Sequence, residues 1–107
     1  MSDHLAKDGS ILSLLEAIDL QARGWIIIDH WPADRFAIGI GDQQGDQRLG
    51  YISTWRKQPG RYYVELEKSA SPDSLDYTVE AKVDDCDLQH VIAMLEKHLT
   101  PQQPSKS

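Results

Sequence analysis

The chain reads as an α+β domain: an antiparallel meander of four to five strands, with an N-terminal and a C-terminal helix packed on one face. Three observations predict this. Five stretches between Trp25 and Val83 are β-branched, aromatic or alternating in polarity, and turn residues separate them. The segments before and after carry apolar residues at helical spacing. Only one face of the resulting ribbon is consistently apolar, so both helices belong on that side.

Residues 1–9 are mostly polar and read as a flexible start. Asp8 or Ser10 can cap a helix, and Ile11, Leu14, Leu15, Ile18 and Ala22 follow at helical spacing. Gly24 suits the left-handed position that ends such a helix, which therefore spans 10–23. Trp25–Trp31 is a strand, broken by Pro32-Ala33-Asp34. Arg35–Gly41 alternates Phe36, Ile38 and Ile40 with Ala37, Gly39 and Gly41. A three-residue loop places His30 opposite Phe36, Ile28 opposite Ile38 and Ile26 opposite Ile40. The register one residue away puts Asp29 opposite Ile38, in the core, where an unpaired carboxylate is costly. The preferred register turns Trp25 and Ile27 to the other face, over Gly41 and Gly39.

Asp42–Gln47 is a polar turn. Arg48–Trp55 is the third strand, with Leu49, Tyr51 and Trp55 on one side, Trp55 facing the core. Lys57-Gln58-Pro59-Gly60 is a turn signal. In the fourth strand, Arg61–Glu67, Tyr62, Val64 and Leu66 alternate with Tyr63, Glu65 and Glu67, which implies one wet face. After a loop at Ser69–Ser74, Asp76–Val83 alternates Tyr77, Val79, Ala81 and Val83 with Thr78, Glu80 and Lys82. Asp84, Asp85 or Asp87 can cap a last helix, whose stripe is Leu88, Val91, Ile92, Leu95 and Leu99. Thr100-Pro101 ends it. The single α+β domain is thus 10–99, and 100–107 is a disordered tail.

Composition bounds the function. The 107 residues suffice for one domain with a core that needs no staples. The lone Cys86 excludes an internal disulfide and a cysteine-based zinc cage. The N-terminus lacks a basic stretch followed by an apolar run, and the longest apolar run is Trp25–Ile28. A cytoplasmic protein without membrane spans is expected. The formal charge of −6 disfavours nucleic acid and suits a basic protein partner.

No motif supplies chemistry. Asp29 and His30 are adjacent on a strand and point to opposite faces, so they make no usual acid–imidazole pair. Asp34 reads as a turn residue. His90 and His98 are eight apart on one helix, whereas metal ligands on a helix sit four apart. Asp84, Asp85 and Asp87 surround Cys86 and disfavour a thiolate. Gly39, Gly41 and Gly45 lack the phosphate-cradling spacing and feed a strand. Arg48, Arg56, Lys57 and Arg61 lie near Trp55, Tyr62 and Tyr63, but with Trp55 and Tyr62 in the core this is a solvated turn, not a nucleic-acid surface. No catalytic residue, metal or cofactor is expected.

The acidic segment is the stronger lead. Asp73, Asp76, Glu80, Asp84, Asp85 and Asp87 stand against Lys82 alone between positions 73 and 87. Such a surface attracts a cationic protein and deters nucleic acid. Glu80, Asp84, Asp85 and Asp87 are the expected attracting residues, and Trp25, Ile27 and Tyr63 the expected apolar anchors.

The segments WIIIDHWPADRFAIGI and YISTWRKQPGRYYVELE resemble parts of small bacterial α+β proteins, and the outline of 10–99 is similar to immunity proteins of bacterial toxin systems, including contact-dependent inhibition. That resemblance implies a compact, cytoplasmic, acidic protein that neutralises a toxin by binding it. The expectation is therefore a non-enzymatic protein-binding module that occludes a toxin's active site. Two alternatives stand beside it: a small-ligand or minor enzymatic pocket near His30, and a structural homodimer through the first strand, which has two apolar sides at a sheet edge.

Overall fold

The computed structural model describes residues 7–28, 33–42, 48–69 and 77–99. In chain order they form α1 (Gly9–Ile18), α2 (Leu20–Arg23), β1 (Trp25–Ile27), β2 (Ala37–Asp42), β3 (Arg48–Ser53), β4 (Tyr62–Ser69), β5 (Tyr77–Cys86) and α3 (Leu88–Leu99). The strands make one antiparallel sheet in the order β1-β2-β3-β4-β5, the expected α+β meander. His30, the segment 43–47, Asp73, Asp76 and the expected tail 100–107 lie outside the described residues.

Capping chemistry starts and stops the helices. The Asp8 carboxylate accepts from the Ser10 N–H at 3.0 Å and opens α1. The residues before α1 contact the corner that precedes β2: the Asp8 N–H donates to the Arg35 carbonyl at 2.8 Å, and Lys7 Nζ to the Asp34 carbonyl at 2.7 Å. The predicted first helix is divided at Asp19, which takes a left-handed φ of 58°. Aspartate tolerates that conformation, and its side chain caps α2. Gly24, at φ 74°, ends α2 as its sequence position required. Asp87 is the residue that caps α3, accepting from the His90 N–H at 2.9 Å.

Ile11, Leu14 and Ile18 of α1 and Val91, Leu95 and Leu99 of α3 share one buried core with Ile38, Ile40, Ile52, Tyr62, Val64 and Leu66. Both helices therefore cover the same face of the sheet. Glycine brings α3 close: a Cβ on Gly50 would meet Leu95 Cδ2 at 2.3 Å.

Two strands face the opposite way from their predicted orientation. Trp25 pairs with Asp42, Ile26 with Gly41 and Ile27 with Ile40, which is the register disfavoured on the ground of Asp29. Trp25 is only 6% exposed and belongs to the core, Ile27 packs against that core, and Ile26 is 42% exposed. The described ladder ends at Ile27, with the Ile28 N–H donating to the Gly39 carbonyl at 2.8 Å; this register hides the Trp25 indole, and Asp29 lies outside the described residues. In β3, Ile52 turns inward while Leu49 and Tyr51 turn outward, because Ile52 pairs with Ile38 and Val64. Trp55, expected in the core, lies beyond the strand and is 57% exposed.

Two β-bulges reset the phase of β5. Leu66 pairs with Ala81 but Glu67 with Val79, leaving Glu80 as the extra residue. Tyr62 pairs with Cys86 and Val64 with Val83, so Asp84 and Asp85 together oppose Tyr63. The first bulge sends Val79 to the outer face; the second turns Cys86 inward. The sheet edges are β1, only three residues long, and β5, interrupted by bulges and charges. Both features disfavour edge pairing.

Candidate functional site

The site is built on the outer sheet face and the connection between β3 and β4. Ser53 ends β3, and its Oγ accepts from the Trp55 N–H at 3.1 Å. The Thr54 N–H donates to the Phe36 carbonyl at 2.8 Å, anchoring this corner to the start of β2. The Lys57 N–H closes a turn onto the Thr54 carbonyl at 3.0 Å, with Arg56 at a left-handed φ of 60°. A long side chain rarely adopts that backbone conformation. Pro59-Gly60 makes the next turn as its sequence predicts: the Arg61 N–H donates to the Gln58 carbonyl at 3.0 Å, and Gly60 has φ 81°.

This scaffold fixes Trp55 in the open. Its ring packs against Phe36 at 5.2 Å between centroids, and the Arg56 guanidinium sits 5.6 Å from the indole centroid. Clefts open on either side of it. One, of about 600 Å³, runs toward Ser10 and Ser13 of α1 and the hairpin residues Arg56–Tyr62. The other, of about 690 Å³, lies between Ala33–Phe36 and the side chains of Tyr51, Ser53 and Trp55.

Tyr51 continues this surface along the sheet. It pairs with Glu65 across the ladder, while Ser53 pairs with Tyr63. The Tyr51 and Tyr63 rings meet edge to face at 6.2 Å. The Tyr63 hydroxyl donates to the Glu65 carboxylate. Burial, then this hydrogen bond, pushes the Tyr63 phenol well above its ordinary value; Tyr51 is raised by burial and then by Asp34. Glu67, expected on a wet face, is only 9% exposed. Its carboxyl is pushed up to about 7, first by burial and then by a hydrogen bond to Glu65, whose charge adds to the effect.

The expected acidic patch is largely paired. Asp84 meets Lys57 Nζ at 3.4 Å, and Asp85 meets Arg61 Nε at 2.9 Å. Asp87 caps α3, and Glu80 points to the helix side, 3.9 Å from His98 Nδ1. These residues tie the β3–β4 connection and α3 to β5 rather than forming one free acidic field. Among the expected anchors, Tyr63 lies on the outer face, whereas Trp25 and Ile27 face the core. Arg23 covers the Trp25 ring at 5.4 Å and pairs with Glu96.

Sequence reasoning missed Trp55, Phe36 and the Glu65–Glu67 pair. The available signal was Trp55 directly before a basic, Pro-Gly turn, where a strand ends and an aromatic is free to leave the core. Cys86 is buried, its Sγ 3.6 Å from the Tyr62 carbonyl, and burial raises its thiol pKa, which opposes a reactive thiolate. Among the described residues, no group of three or more His, Cys, Asp or Glu side chains is placed to hold a metal ion. No helix among them is long and apolar enough to cross a membrane. No protein-family model, curated protein or solved structure matches the chain.

Proposed function

We propose that this chain is a non-enzymatic protein-binding module that covers a partner's surface, as an immunity protein does when it occludes a toxin's active site. The observation that carries this reading is Trp55: a large aromatic, 57% exposed, braced by Phe36 and two local hydrogen bonds. Interface energy concentrates in such residues, with Trp, Tyr and Arg foremost. A side chain already fixed in place loses little entropy on docking. Tyr51 and Tyr63 extend the surface along the sheet, and Arg56 borders it. Apolar attachment thus centres on Trp55 instead of Trp25 and Ile27.

The test is co-expression with the product of the adjoining gene, followed by growth and affinity measurements. Direct binding with relief of toxicity is expected. Trp55→Ala is expected to weaken binding by roughly 2 kcal/mol or more while leaving the urea midpoint nearly unchanged. Trp25→Ala is expected to cost about 3–5 kcal/mol of stability, since it empties the core. A bound partner whose affinity ignores Trp55→Ala rejects this surface. Absence of both binding and protection rejects the toxin-neutralising role.

A further inference from the structure

We propose that the cleft lined by Phe36, Tyr51 and Trp55 receives an arginine side chain of the partner. The inference rests on the protein-binding reading and gives it a chemistry. Three aromatic residues line this shallow, open cleft, which at about 690 Å³ has room for a guanidinium and the chain that carries it. The carboxylates lie on the same side. Asp34 is on the rim, and Glu65 stands directly across the ladder from Tyr51. Asp34, Glu65 and Glu67 all act on the Tyr51 hydroxyl, and each is acidic. Two cations stand near these carboxylates: Arg35, also on the rim, and Arg56, whose guanidinium lies over the Trp55 ring and lines the other cleft. Lys82 stands beside Glu65 on β5, away from the cleft lining.

An aromatic wall with carboxylates behind it suits a cation whose flat face can stack while its edge donates hydrogen bonds. Guanidinium does both, and it sheds water more readily than ammonium. An acidic side chain would meet like charge here. The choice of partner therefore follows from charge complementarity at an otherwise apolar groove.

The experiment is an NMR titration of the whole protein with acetyl-Ala-Arg-Ala-amide and with its citrulline counterpart, which keeps the shape and lacks the charge. Saturable amide shifts at Tyr51, Ser53 and Trp55 are expected, with the citrulline peptide roughly fivefold or more weaker. Glu65→Gln and Asp34→Asn are each expected to weaken the arginine response, as is added salt. Equal binding of the two peptides overturns the proposal, as does a response confined to the Asp84–Asp85 corner. Loss of partner binding in Trp55→Ala without arginine preference sinks only the cleft chemistry. Arginine preference with partner binding indifferent to Trp55→Ala rejects the docking surface, and with it the partner's use of the cleft.

Discussion

His98 Nε2 lies 2.9 Å from the backbone carbonyl of Glu67 and joins the last turn of α3 to β4. A carbonyl only accepts, so Nε2 carries the proton. Nδ1 then faces Glu80 at 3.9 Å, where the bulge in β5 has turned that side chain toward the helix. The end of α3 is further held by Arg48, whose guanidinium reaches the His98 carbonyl at 3.5 Å. The tie also positions the strand that bears Glu65 and Glu67 on its opposite face.

His98→Ala is expected to destabilise the fold by about 1–3 kcal/mol, because it removes the partner of a buried carbonyl and leaves a gap. Glu80→Gln is expected to cost less than about 1 kcal/mol, since a long contact to a half-exposed carboxylate contributes little. Urea denaturation of both variants checks this. Equal losses would mean that the Glu80 contact matters as much as the buried bond.

Gly50 and Leu95 are coupled by contact. A methyl at Gly50 would press on Leu95 Cδ2 at 2.3 Å, so Gly50→Ala is expected to cost about 1–3 kcal/mol by overpacking. Leu95→Ala is expected to cost about 2–5 kcal/mol by leaving a cavity. The double variant places the new methyl in the vacated space. Its loss should fall short of the sum by about 0.5–3 kcal/mol, and strict additivity would contradict the close approach of α3 to β3.

Glu67 links stability to pH. Its carboxyl titrates at about 7 in the fold against an ordinary 4.5, so the folded chain holds this proton more tightly than the unfolded chain. Its contribution is most favourable below about 4.5 and declines as pH rises toward about 7, where the charged form becomes costly. Glu67→Gln is expected to flatten the stability profile across that window, as read by urea midpoints at a series of pH values. A slope unchanged by the substitution would assign it to other groups.

Much of the architecture was legible because it rests on local pattern. Gly24 and Pro59-Gly60 marked their turns correctly, since left-handed backbone and a fixed proline φ are properties of those residues themselves. The stripe Val91, Leu95 and Leu99 announced its buried helix face. The alternation of Tyr62, Val64 and Leu66 announced the inward side of β4.

The candidate site was far less legible. Alternation along the strands places Tyr63 on the outer face, where it lies, but it also places Trp55 in the core and Trp25 and Ile27 on the surface. The first assignment failed because β3 ends at Ser53, so strand alternation no longer governs Trp55. The second fails because the β1 register follows the area gained by burying Trp25, which the charge of Asp29 does not reveal. Val79 likewise left the core side once Glu80 was inserted as a bulge.

By itself, the sequence determined an α+β meander, its turns and the two helical stripes, because periodicity and turn chemistry act over a few residues. Only the tertiary structure decided which face each strand presents, that Lys57 and Arg61 engage Asp84 and Asp85, and that Trp55 stands open between two clefts. Those outcomes depend on residues distant in the chain: a shift of one position inverts a strand, and a charge is free or paired according to what the fold brings beside it.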